Sequence, residues 1–166
     1  MGHQQMIQRE RELTSYLMEE LLHIPDIIVL ESKTKERMGI VSFVPLNIHY
    51  NLFTKLLNDR FGIQARGGCS CAGPYGHYLL AINSNTSRAI THQLDQGDLT
   101  NKPGWVRLSI HPTMTQREIL TITVAIRSIM MNIVSWKEDY RYNPSNNDWN
   151  HKFVAYDINV GDLFAM

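Results

Sequence analysis

Neither sign of charge is in surplus: 16 Lys and Arg stand against 16 Asp and Glu, a formal net charge of +0 over 166 residues. That balance argues against a polybasic nucleic-acid surface and against an acidic tail. Cysteine is scarce, with two residues at positions 69 and 71, and an i, i+2 spacing is poorly placed for an ordinary disulfide. Long apolar runs are missing. The longest, near 24–30, is broken by Pro25 and Asp26 and falls well short of the about 20 residues that a membrane-spanning helix needs. The opening Met-Gly-His-Gln-Gln lacks a basic segment followed by an apolar one, so no secretory leader is expected. These absences set the expectation of a reducing, cytoplasmic protein with no membrane contact and no nucleic-acid partner. Internal repeats and low-complexity segments are lacking too.

What is present suits one ordinary domain with its own core, since 43% of residues are hydrophobic and 19% charged. From Gln4 to His23, helix formers carry Leu13, Tyr16, Leu17 and Leu21 on one face. Pro25 ends that helix, and two short strands, Ile27 to Leu30 and Ile40 to Val44, are expected to pair. Asn47 is a suitable N-cap for a helix to about Phe61, with Gly62 as its left-handed stop. A short helix fits within Ser87 to Gln96. Trp105 to Ile110 alternates, with Val106, Leu108 and Ile110 facing the core and Arg107 facing away. Thr115 and Glu118 form a capping box that opens the longest helix, whose apolar residues run from Ile119 through Ile122, Ile126, Ile129 and Ile133 to Trp136. The order α, β, β, α, β, loop, β, α predicts an α+β fold: a small antiparallel sheet of three to four strands with helices on one face. Within a single domain spanning 1–166, residues 1–24 form a linking helix, 25–138 the core, and 139–166 an aromatic tail, without periodicity, that wraps an existing surface.

The most unusual stretch is Ala65 to His77, which holds both cysteines and four of the ten glycines. Glycine and proline at this density predict a shaped loop, because neither suits the middle of a helix or strand. Arg66 and His77 would favour a thiolate, the attacking form of cysteine. Zinc would need two further ligands where only His77 is near, so no metal is expected. Cys-X-Cys is not the Cys-X-X-Cys of redox exchange, and Ser70 has no Gly-X-Ser-X-Gly elbow around it. Arg107 is the second candidate, since a guanidinium on a short strand between Trp105 and Ser109 suits bidentate grip of a carboxylate. His49, His92 and His111 have no comparable company and are taken as structural or solvated.

The run Arg66-Gly67-Gly68-Cys69-Ser70-Cys71-Ala72-Gly73-Pro74 resembles the Arg-x-Gly-x-x-Cys-Ala-x-Pro loop in the C-terminal small domain of class V aminotransferases and cysteine desulfurases. These are pyridoxal-phosphate enzymes of fold type I. Arg107, Ser109, Thr115 and Glu118 reproduce the spacing of that family's arginine-bearing strand and following helix. The longer string through Tyr75-Gly76-His77, with Lys102-Pro103-Gly104-Trp105-Val106-Arg107 and Asp139 to Tyr142, is similar to a selenocysteine lyase-like subgroup. The resemblance implies that Cys71, not Cys69, is the persulfide-forming nucleophile and that Arg107 binds the substrate α-carboxylate, with Arg66 and His77 also counted as substrate-binding. It implies a cysteine or selenocysteine substrate, a homodimer, and a cofactor-binding large domain before residue 1. None of the six lysines, at 33, 35, 55, 102, 137 and 152, is assigned as the Schiff-base residue. No pyridoxal phosphate is therefore expected on this chain alone, and the parent enzyme rather than the chain is expected to be active. An aminotransferase of another amino acid and a truncated, non-catalytic fragment stay open as alternatives. Trp105 and the N-terminal helix are expected to present apolar surface to a partner.

Overall fold

The computed structural model describes residues 2–34, 36–69 and 73–153, the side chains of Gly73 and Pro74 excepted. A first helix, α1 (His3–Leu22), buries Leu13, Thr14, Leu17, Met18 and Leu21 on one stripe, as its i, i+4 spacing requires. Two strands follow, β1 (Ile27–Val29) and β2 (Ile40–Pro45), paired antiparallel with Ile28 opposite Val44. Next comes α2 (Tyr50–Phe61), ended by Gly62 at φ 65° in the left-handed region. Its N-cap is His49 rather than Asn47: the His49 Nδ1 accepts from the Asn51 amide at 3.1 Å. Asn47 takes φ 61° instead, a conformation Asn tolerates better than most residues, and it serves the turn that follows β2.

The stretch expected to be one loop is not one. Arg66–Gly68 forms β3, an edge strand paired with β4 (Trp105–Ser109), and Gly73–Leu79 forms the short helix α3. The third strand thus begins inside the glycine-rich segment. Glycine is needed at position 67 because a Cβ there would lie 2.5 Å from Asn51 Oδ1 and 3.0 Å from the Tyr50 ring, and Gly68 has φ 114°. A further helix, α4 (Ser84–Asp95), is capped by the Asn83 side chain and has no buried residue. The longest helix, α5 (Gln116–Lys137), opens on the capping box, with the Glu118 amide donating to Thr115 Oγ1 at 3.2 Å and the Thr115 amide to Glu118 Oε2 at 2.7 Å. The Thr115 amide, with the Thr115 hydroxyl donating to the same oxygen at 2.8 Å, holds the Glu118 carboxyl below its usual range.

The four strands form one antiparallel sheet in the order β1-β2-β4-β3. Val41, Phe43, Val106 and Leu108 face α1, α2 and α5 in a single core that also holds Phe53, Leu56, Leu57, Ile119, Ile126 and Ile129. Phe43 and Phe53 meet edge to face at 5.4 Å, and burying side chains of this size contributes about 1.5–3 kcal/mol each. The fold is α+β, with the long helices on one face of the sheet. By length and composition α5 is apolar enough to cross a membrane, and its residues from Ile119 to Ile129 on the inner side belong to this core.

Trp105 departs from expectation. It is 5% exposed, outside the main core, and lies under Gly76 of α3, so α3 and not an outside partner covers it. The aromatic tail also has more order than its composition suggested. Tyr140–Asn143 and Asp148–His151 form β5 and β6 of a hairpin, with Tyr140 and Trp149 buried in the core. Tyr140 donates to Asp59 at 3.0 Å, and Asp139 pairs with Arg60 at 2.7 Å, so the hairpin is tied to the C-terminal end of α2.

Candidate functional site

Antiparallel pairing puts Arg66 of β3 directly opposite Arg107 of β4, with Ser42 of β2 on the other side of Arg107. Two like charges in this cross-strand position destabilise a sheet unless something negative lies between them. Arg107 is half-buried, and its Nε is buried without a hydrogen-bond partner among the described residues. A buried N–H left unpaired costs stability, and an incoming acceptor would satisfy it. Both arginines line an open cleft of about 760 Å³ between the edge of the sheet, α2 and the turn of the hairpin. Asn51, Lys55 and Asn58 come from α2, Asn146 and Asn147 from the turn, and Asp148 from the start of β6. Most of the lining side chains are polar, Ala65 apart, and the paired guanidiniums suit a carboxylate or another oxyanion.

Cys69 stands just past β3. Its sulfur occupies the space against α3 where a Cβ on Gly76 would lie 2.3 Å away, beside the Trp105 ring. Cys69 is half-buried at this position. Cys71, the expected nucleophile, lies outside the described residues, as does Ser70. His77 sits in the last turn of α3 and is not among the described residues lining the cleft. The structure therefore brings two of the four expected site residues together, Arg66 and Arg107. Among the described residues no group of His, Cys, Asp and Glu could hold a metal ion.

A polar cluster missed in the sequence joins the hairpin to this site. Asn147, 7% exposed and at φ 58°, donates from Nδ2 to the Tyr50 hydroxyl at 2.7 Å and accepts from the Tyr142 hydroxyl at 3.0 Å. Its backbone carbonyl accepts from Asn51 Nδ2. His49 stacks on Tyr50 with ring centres 4.5 Å apart. Burial is the main reason that the His49 pKa is lowered and the Tyr50 pKa raised; Lys137 adds to the first shift, while contact with Asn147 opposes both. The missed signal was the pair Tyr-x-Tyr and Trp-x-His at residues 140–142 and 149–151 around an Asn-rich turn, which is a hairpin pattern.

Residues 1–122 match the family model described as Aminotransferase class-V. The fold is similar to the apo cysteine desulfurase of Thermococcus onnurineus NA1, with TM-score 0.57 and 21% identity over 78% of this chain and 27% of that one. It is also similar to the cysteine desulfurase CsdA of Escherichia coli in its S-sulfonic acid form, with TM-score 0.52 and 19% identity over 76% of this chain and 25% of that one. The chain thus spans about a quarter of the length of these two structures. No curated protein matches the sequence significantly.

Proposed function

The chain belongs to the class-V aminotransferase family, and from that premise we propose that it is the C-terminal, substrate-binding part of a pyridoxal-phosphate enzyme that takes sulfur or selenium from cysteine or selenocysteine. The observation that carries this reading is the register of β3 on β4, which sets Arg66 against Arg107 at a cleft where the buried Arg107 Nε has no partner among the described residues. Arg107 binds the α-carboxylate of the substrate through its planar fork, and Arg66 adds a second cation across the strand. Cys71 follows β3 by three residues. In this reading its thiolate attacks the sulfur or selenium of the substrate, the bond from that atom to Cβ breaks with its electron pair left on the amino-acid portion, and Cys71 keeps the atom as a persulfide or the selenium analogue. His77 of α3 is proposed to assist substrate binding from beyond the described cleft lining.

Enzymes of this family use pyridoxal phosphate, which supplies an electron sink for the amino acid. The described cleft residues include two arginines and a lysine but no aromatic face to stack the pyridine ring. They fit an anion and not the cofactor, which we assign to a larger domain outside residues 1–166. A homodimer and a reducing, cytoplasmic setting that keeps the thiol free belong to the same proposal. The polar side chains of the cleft favour one second reading, an aminotransferase for another polar amino acid. The test is Cys71→Ala in the assembled enzyme. Loss of sulfide or selenide release from cysteine or selenocysteine is expected, whereas unchanged release, or a keto acid formed by transamination, overturns the sulfur-accepting role.

A further inference from the structure

The ring of Tyr50 lies on three glycines that meet where the cysteine segment begins. A Cβ on Gly67 would be 3.0 Å from the ring, one on Gly104 would be 2.6 Å from it, and one on Gly68 4.0 Å. Gly67 and Gly68 belong to β3, and Gly104 immediately precedes β4. Tyr50 therefore holds the two strands that carry Arg66 and Arg107 at their glycine ends. It touches nothing there that a side chain could replace, because the contact is ring against backbone. Its hydroxyl is held in turn by Asn147 at 2.7 Å, while Asn51, the neighbour whose Oδ1 crowds Gly67, is held by the Asn147 carbonyl.

We propose that Asn147 is a positioning residue for the arginine pair, acting through Tyr50 and Asn51 from the turn of the β5–β6 hairpin. Three features support it. Asn147 is a buried polar residue whose side chain uses both ends, donating to Tyr50 and accepting from Tyr142. It adopts a left-handed φ of 58°, which few other residues accept without strain. Asn147 itself lines the cleft, together with its neighbours Asn146 in the turn and Asp148 at the start of β6. One element thus lines the anion site and fixes the strand from which the thiol extends. A three-residue edge strand with two glycines has little of its own to hold it in register, so an outside clamp on its backbone decides where Arg66 stands. The catalytic meaning of this clamp rests on the function proposed above; the clamp itself does not.

The test is amide hydrogen exchange on the full chain, read by mass spectrometry for residues 66–69, 140–151 and 41–43. Asn147→Ala is expected to speed exchange at 66–69 by about 10-fold, the loss of roughly one hydrogen bond of local stability, and to leave 41–43 in the centre of the sheet unchanged. Asn147→Asp should restore protection, since its carboxylate can accept from both the Tyr142 and the Tyr50 hydroxyls. Tyr50→Phe should also speed 66–69, and adding Asn147→Ala to it should produce little further change there, because the two act along one route. Should Asn147→Ala fail to fold, Tyr50→Phe alone decides. Faster exchange confined to 140–151, or a uniform rise that includes 41–43, overturns the proposal. No activity is read, so the outcome is independent of whether Cys71 accepts sulfur.

Discussion

Arg107 is the residue on which substrate affinity should depend most directly. It faces a second cation in register and has a buried nitrogen that no described group satisfies. Charge-assisted hydrogen bonds of this kind are worth about 1.5–3 kcal/mol, so Arg107→Gln in the assembled enzyme should raise the KM for the substrate amino acid by roughly 10- to 100-fold. Arg107→Lys should recover only part of that, because an ammonium lacks the planar fork. An unchanged KM would remove Arg107 from the substrate site. At this scale the sequence was informative in one half of the site only. Alternation along 105–110 was enough to place Arg107 off the core face, and the motif spacing singled it out. That Arg66 stands opposite it was not legible, because cross-strand register is set by tertiary pairing and by the glycines that let Tyr50 approach.

Among the elements, the hairpin and α2 are coupled by a histidine whose pKa burial lowers. His49 caps α2, stacks on Tyr50 and lies 6.0 Å from the Trp149 ring of the hairpin. Burial lowers its pKa from the ordinary value of 6.5, and Lys137 lowers it further. The unfolded chain therefore binds more protons than the folded one just below that value. Stability is complete above about pH 6.5 and declines as the pH falls toward the depressed folded pKa. His49→Asn keeps an N-cap acceptor for the Asn51 amide and removes the titration. Thermal melts from pH 7.5 down to 5 should accordingly show a shallower loss of Tm in the variant than in the parent. Parallel curves would mean that folding leaves the proton affinity of His49 unchanged.

The elements with strong local signals matched their expected positions: the capping box of α5, the Gly62 stop of α2, the paired strands β1 and β2. Those decided by distant packing did not. Asn47 lost the cap to His49, which is held between Tyr50 and the hairpin, and the tail 140–151 acquires its strands only by laying Tyr140 and Trp149 on α2 and the core.

Taken whole, the domain leaves considerable apolar surface in water. Ile28 and Ile40 are 50% and 43% exposed on the sheet face away from the long helices, and Met131 and Val134 on α5 are 79% and 82% exposed. The chain should therefore self-associate as its concentration rises, with Ile40→Asp weakening the association. A sedimentation coefficient that stays at the monomer value across the concentration series would count against this.

The strand order has one more consequence. Both interior ladders of the open side run through β4, the last of the four sheet strands to be synthesised: β2 pairs with it on one flank and β3 on the other. During synthesis β1 and β2 can close as a local hairpin, but β3, made well before β4, has no strand to pair with until 105–107 has emerged. Closing those long-range ladders is slow, and the glycine-rich segment is the part of the domain that waits longest in an unpaired state. The thiol chemistry proposed for this chain would therefore be encoded midway along the polypeptide yet become available only at the end of folding, when the arrival of Arg107 gives Arg66 its opposite number.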